Sequence, residues 1–132
     1  MKSGFSQEWT SVAKHLEAMP VKYEAQHWMY ATLTQFCRAI AATPYATVFQ
    51  VEEHALSCGG AQHAIFLWKR DGSAPNKGVR VCVNHRYKLE YGEALPNLYV
   101  AKNFVYANPT NMIPKFTQFL TGVNWSGFGL EE

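Results

Sequence analysis

Between Val79 and Tyr91 apolar and polar side chains alternate almost without a break. Val79, Val81, Val83, His85, Tyr87, Leu89 and Tyr91 fall on one side, and Arg80, Cys82, Asn84, Arg86, Lys88 and Glu90 on the other. A period of two marks a strand with one buried face. The pattern predicts one long strand over 79–91, valines inward and cations outward. Earlier in the chain the period is helical. Trp9, Val12, Ala13, Leu16 and Met19 recur at three- and four-residue intervals after Ser6, a residue suited to capping, which predicts a helix from Ser6 to about Met19. A second helix is expected from Pro20 to about Ala42, since proline is tolerated in a first turn and Thr43-Pro44 disfavours continuation. Its buried stripe would be Val21, Ala25, Trp28, Met29, Leu33, Phe36, Cys37 and Ile40, with Tyr23, Gln26, His27, Tyr30, Thr34 and Arg38 opposite. The two helices would form an antiparallel pair.

After Pro44 the period changes to two. Strands are predicted over 45–53 and 61–70, separated by a Cys58-Gly59-Gly60 turn, then over 79–91, and over 98–106 beyond a turn around Pro96. The polar run from Asp71 to Gly78 reads as a hairpin loop. Asn108-Pro109-Thr110 opens a last helix whose stripe is Met112, Ile113, Phe116, Phe119, Leu120 and Val123; Pro114 must fall in its first turn, which puts the cap near Thr110. The glycine-rich tail carries Trp125 and Phe128 and is expected to pack down. The sum is an α+β fold in one domain spanning 1–132: an N-terminal helical hairpin, a four-stranded antiparallel β-meander, and a C-terminal helix packed on one face of the sheet.

Composition narrows the function classes. A chain of 132 residues can bury roughly two thirds of the surface its unfolded form exposes. With 48% hydrophobic and only 17% charged residues, it is not a disordered chain. A net charge of +2 is too small to imply nucleic-acid binding unless the cations cluster. Three cysteines without regular spacing, and a start that leads into no signal-peptide core, predict reduced thiols and a cytoplasmic location. No run approaches the about 18 apolar residues of a membrane span.

If the loop between Arg70 and Val79 closes symmetrically, Trp68 faces Val81, Phe66 faces Val83, Ala64 faces His85 and Gln62 faces Tyr87. Two surfaces follow. On the inner face a small Ala64 leaves room beside His85, giving a ligand pocket lined by Trp28, Gln62, Trp68, His85, Tyr87 and Phe104, with His85 the candidate proton-transfer residue because an imidazole titrates near neutrality. On the outer face Ile65, Leu67 and Cys82 would form an apolar island rimmed by His63, Lys69, Arg80, Arg86 and Lys88, the pattern of an interface.

Other chemistry is poorly supported by spacing. His54, Cys58 and His63 lack the paired ligands of a structural zinc site, so no metal is expected, and no cofactor. A Cys58 nucleophile paired with His54 or His63 is less economical than a simple turn. Glu52 and Glu53, adjacent in a strand, face opposite sides and cannot share a proton. No phosphate-binding loop, hydrolase elbow or dinucleotide fingerprint occurs. The leading expectation is a non-enzymatic module that dimerises or docks on an acidic protein through the outer sheet face. A small-molecule pocket or acid/base enzyme around His85 is the alternative, and a weak nucleic-acid binder using the basic strand face ranks below both, since its aromatics are predicted to face inward.

Overall fold

The computed structural model describes residues 2–55, 63–75, 77–84, 86, 88–95, 101–123 and 125. Helices α1 (Lys2–Glu17) and α2 (Glu24–Ala41) are followed by a single helical turn, α3 (Tyr45–Val48). An antiparallel sheet follows, with strands β1 (Phe49–Ala55), β2 (His63–Lys69), β3 (Gly78–Val83), β4 (Leu89–Ala94) and β5 (Ala101–Ala107) in sequential order. A 3-10 turn (Pro109–Asn111) leads into α4 (Met112–Thr121). The architecture is α+β, and the sheet has five strands rather than four.

The extra strand arises because the expected long one breaks in its middle. Asn84 takes its backbone out of the ladder: its Oδ1 accepts the N–H groups of Arg86 and Lys88 at 2.8 and 3.1 Å, and its own N–H donates to the Lys88 carbonyl at 2.9 Å. Such Asx geometry competes directly with strand pairing. Val83 then pairs with Leu89 and Val81 with Tyr91. Because the turn holds an odd number of residues, alternation continues across it, and a hairpin reads in the sequence like an unbroken strand.

Helices α1, α2 and α4 bury one sheet face. Their apolar stripes meet Val51, Ile65, Leu67, Val79, Val81, Val83, Leu89 and Tyr91 in the main core, so the valines do point inward. Aromatic rings fill its centre: Phe116 packs edge-on against Phe36 and Tyr91 at 5.6 and 5.2 Å. The Tyr91 hydroxyl donates to the Met112 carbonyl at 2.7 Å and fixes the start of α4. Pro114 lies in the first turn of α4, where its missing N–H costs nothing. Trp125 packs on Phe49 at 5.8 Å, with the Lys69 ammonium 4.5 Å above its ring.

The helical pair is seen in part. Both helices form and pack on each other, but α2 begins at Glu24 rather than Pro20, where the Gln26 side chain reaches back to accept the N–H groups of Lys22 and Tyr23. Trp9 meets Phe36, and Glu17 at the end of α1 is bound to Arg38 in the second half of α2. The segment between the helices must therefore run back along α2. Trp28 and Val21, expected inside, are exposed, whereas Tyr30, expected outside, is buried. The strand expected from Tyr45 starts only at Phe49, because Thr43 Oγ1 accepts the Tyr45 N–H and Pro44 starts a helical turn.

The register between β2 and β3 also differs from expectation. Ile65 pairs with Val81, Phe66 with Arg80 and Leu67 with Val79. The loop does not close symmetrically, and an odd slip exchanges the two faces of a strand. Ile65, Leu67 and His63 therefore lie in the helix-covered layer, and the apolar side chains beside Cys82 on the outer face are Ala64, Phe66 and Trp68. Phe66 and Trp68 stack there at 6.5 Å, and Gly78 is needed beneath them: a Cβ at that position would lie 2.5 Å from Trp68 Cε3. Lys77, in the polar run expected to be a hairpin loop, is buried and pairs with buried Glu93 at 3.1 Å.

Candidate functional site

Two features stand out: a cationic groove along α2, and a buried chain of hydrogen-bonding groups beneath α1. The groove arises because the buried stripe of α2, Met29, Leu33, Phe36, Cys37 and Ile40, leaves Trp28, Ala31 and Gln35 on another side of the helix. Trp28 is 46% exposed. Opposite it, the Asn84 turn presents Arg86 and Lys88, both exposed. Asn108 and Pro109, where β5 gives way to the 3-10 turn, close the end of the groove. It encloses about 600 Å³, and no carboxylate is found among the described residues that line it.

The buried chain begins on α2 and ends at the surface of α1. The Tyr30 hydroxyl lies 3.4 Å from His63 Nδ1. His63 Nε2 bonds one oxygen of Glu53, and His15 Nδ1 approaches the other at 2.5 Å. A carboxylate only accepts, so His63 donates from Nε2, and in the neutral imidazole Nδ1 is left to accept the Tyr30 O–H. Burial pushes the Glu53 carboxyl up, but the hydrogen bonds and charges of His63 and His15 outweigh it and hold the group below the usual carboxylate range. Burial first and the Glu53 charge second raise Tyr30, which keeps its hydroxyl protonated as a donor rather than a tyrosinate nucleophile. The same two causes push the nearby Cys37 thiol up to about 12, so it is no thiolate.

Sequence reasoning missed this chain. One signal was available: Glu53 shares the parity of Phe49 and Val51, which places a carboxylate on the buried face of β1 and demands a partner there. The partner, His63, sits diagonally across the β1–β2 ladder, where Glu53 pairs with Ile65 and Ala55 with His63.

The described residues of each expected set lie on different parts of the molecule. Of the pocket set, Gln62, His85 and Tyr87 lie outside the described residues; Trp28 belongs to the groove, while Trp68 and Phe104 lie on the outer sheet face away from the helices. Of the interface set, His63, Ile65, Leu67 and Lys69 are on the helix side, Arg80 and Cys82 are on the outer face, and Arg86 and Lys88 are in the β3–β4 turn. Trp28 of the first set thus lines the same groove as Arg86 and Lys88 of the second. On the outer face Phe104 and Tyr106 are 39% and 50% exposed and stack at 6.4 Å, with the Arg80 guanidinium 5.8 Å from the Phe104 ring. Aromatics therefore share a face with a cation there, contrary to the expectation that all would turn inward.

His54 faces outward, bonded to Glu52 at 3.1 Å, while His63 faces inward, so the two imidazoles cannot hold one ion. Among the described residues no group of three or more His, Cys, Asp or Glu side chains converges as a metal site would, and no helix is long and apolar enough to cross a membrane. Comparison with protein-family models, curated proteins and solved structures gives no match.

Proposed function

We propose that this protein is a non-enzymatic binding module that docks an acidic segment of a partner protein in the groove between α2 and the β3–β4 turn. The observation that carries the reading is an exposed Trp28 facing Arg86 and Lys88, with no carboxylate among the described lining residues. Tryptophan and arginine are the side chains that most often anchor protein interfaces, the first by area and the second by its planar donors. Two cations also steer an acidic partner toward the groove. A partner combining carboxylates with one bulky apolar side chain fits this chemistry. Cys37 and Cys82, both free and buried, agree with the cytoplasmic setting inferred from the cysteine pattern.

The test is titration with a synthetic peptide of glutamates around a central leucine, followed at the Trp28 indole N–H by NMR. Binding should shift that resonance, weaken with added salt, and weaken by about tenfold or more in the Arg86→Glu, Lys88→Glu double variant. A Trp28 indole that responds equally to the lysine counterpart of the peptide would overturn the assignment. Light scattering on the same samples distinguishes partner docking from self-association.

The exposed pair Phe104 and Tyr106 beside Arg80 supports a second reading, weak single-strand nucleic-acid binding by base stacking on the outer face. Oligothymidylate that leaves the Phe104 and Tyr106 ring resonances and the protein's mobility unchanged at low salt would remove it.

A further inference from the structure

Two threonines on other helices show what Thr34 does not do. Thr10 in α1 and Thr121 in α4 each donate back to the carbonyl three residues earlier, at 3.1 and 2.7 Å, a bond open to any helical threonine. Thr34, in the middle of α2, is 5% exposed, and its Oγ1 has no hydrogen-bond partner among the described residues. A buried hydroxyl left unpaired is destabilising, and such groups are few in folded proteins. One that persists calls for a reason.

Thr34 lines a second cleft, of about 390 Å³, between α2 and the segment that leaves α1. The volume lies in the range of small-molecule sites. Met19 and Val21 line it from that segment and Ala31 from α2; Val21 is 44% exposed, so apolar surface stands open to solvent there. Three of the polar side chains around the cleft are already engaged. Arg38 reaches Glu17 through both terminal nitrogens, at 2.8 and 3.4 Å. The Tyr30 hydroxyl donates to His63, and His27 packs edge-on against Trp28. The Glu17 and Arg38 pair also ties the end of α1 to α2, so the cleft is formed before anything enters it. With these two charges spent on each other the cleft offers little to an ion. Apolar surface and one unsatisfied hydroxyl remain.

We propose that this cleft is a binding site for a small neutral phenol, whose ring lies against Met19 and Val21 and whose hydroxyl pairs with Thr34 Oγ1. A thioether and a branched aliphatic chain suit a flat ring. Because Oγ1 is closed to water in the free protein, engagement goes with a step of Thr34 between the two χ1 wells open to a helical threonine. Binding removes the unpaired group and stabilises the protein by mass action. The site is distinct from the Trp28 groove: Ala31 and Gln35 line both, whereas Met19 and Val21 line the cleft alone.

The test uses p-cresol and toluene, which differ by one hydroxyl, titrated against wild type and Thr34→Val with the methyl resonances of Met19 and Val21 as the readout. In wild type both sets of methyls should shift saturably with p-cresol. Affinity for p-cresol relative to toluene should fall about three- to tenfold in Thr34→Val, the share of one neutral hydrogen bond. Without ligand, Thr34→Val should melt no lower than wild type, since it removes an unpaired group at little change of shape. Val21→Ser, which strips apolar wall, should weaken both probes alike. Met19 and Val21 methyls that p-cresol leaves unmoved overturn the site. An unchanged affinity ratio in Thr34→Val overturns it too. So does a Thr34→Val protein that melts clearly lower, because its hydroxyl would then be bonded inside the protein.

Discussion

Replacing Glu53 by glutamine tests the buried chain where its energy is concentrated. The carboxylate accepts from His63, which is 3% exposed, and from His15, which is 58% exposed. A hydrogen bond to a charged group contributes about 1.5–3 kcal/mol when buried, against about 0.5–1.5 for a neutral one, so loss of charge on the His63 side costs about 1–1.5 kcal/mol. The exposed His15 arm adds at most about 0.5–1 kcal/mol. The total, about 2 kcal/mol, corresponds to a fall of about 6–10 °C in Tm for a chain of this length. The pH dependence has a definite sign. Glu53 sits below its unfolded value in the native state, so its stabilisation is complete above the ordinary carboxylate pKa of about 4.3 and is lost as pH falls through the lower native value. Urea unfolding followed by tryptophan emission should therefore show the widest gap between wild type and Glu53→Gln near neutrality, closing progressively below about pH 5. A gap under about 0.5 kcal/mol at neutral pH, or one that survives into acid, would refute the placement of this carboxylate.

Three further outcomes are expected. Lys77→Met should destabilise by about 3–5 kcal/mol because it breaks a buried ion pair, and Lys77→Met combined with Glu93→Leu should recover most of the loss; equal stability of the single and double variants in urea would contradict the buried pair. Gly78→Ala should cost about 1–3 kcal/mol and shift Trp68 emission, since its Cβ would press on the indole and on the Leu67 carbonyl; an unshifted spectrum would argue against the close approach. In a Cys58→Ser background, Cys37 and Cys82 should react with a disulfide reagent only after unfolding. Burial raises them to about 12 and about 11, Arg80 partly opposing the shift at Cys82, and stoichiometric labelling of the native protein at about pH 8 would refute both placements.

Periodicity determined the class of most elements, the helical turn Tyr45–Val48 and the break at Asn84 excepted. The stripes of α1 and α4 were legible because each has a single apolar face, and the valines of β3 because arginine and cysteine alternate with them. From this came an antiparallel meander with a helical layer on one side. What escaped was everything that depends on parity across a turn. The five residues from Asn84 to Lys88 preserve alternation, so one strand and two are indistinguishable until the Asn84 side chain is seen bonding its own turn. Strand β2 is apolar on both faces, and nothing in its own residues says whether Ile65 and Leu67 or Phe66 and Trp68 meet the helices; the uneven loop to β3 decides it. The groove and the buried chain belong to the same class of fact. Trp28 comes to line one groove with Arg86 and Lys88, and Tyr30 meets His63, only through the packing of α2 on the sheet. Local sequence carries the period of an element, whereas the pairing of faces is a long-range free energy that no single element encodes.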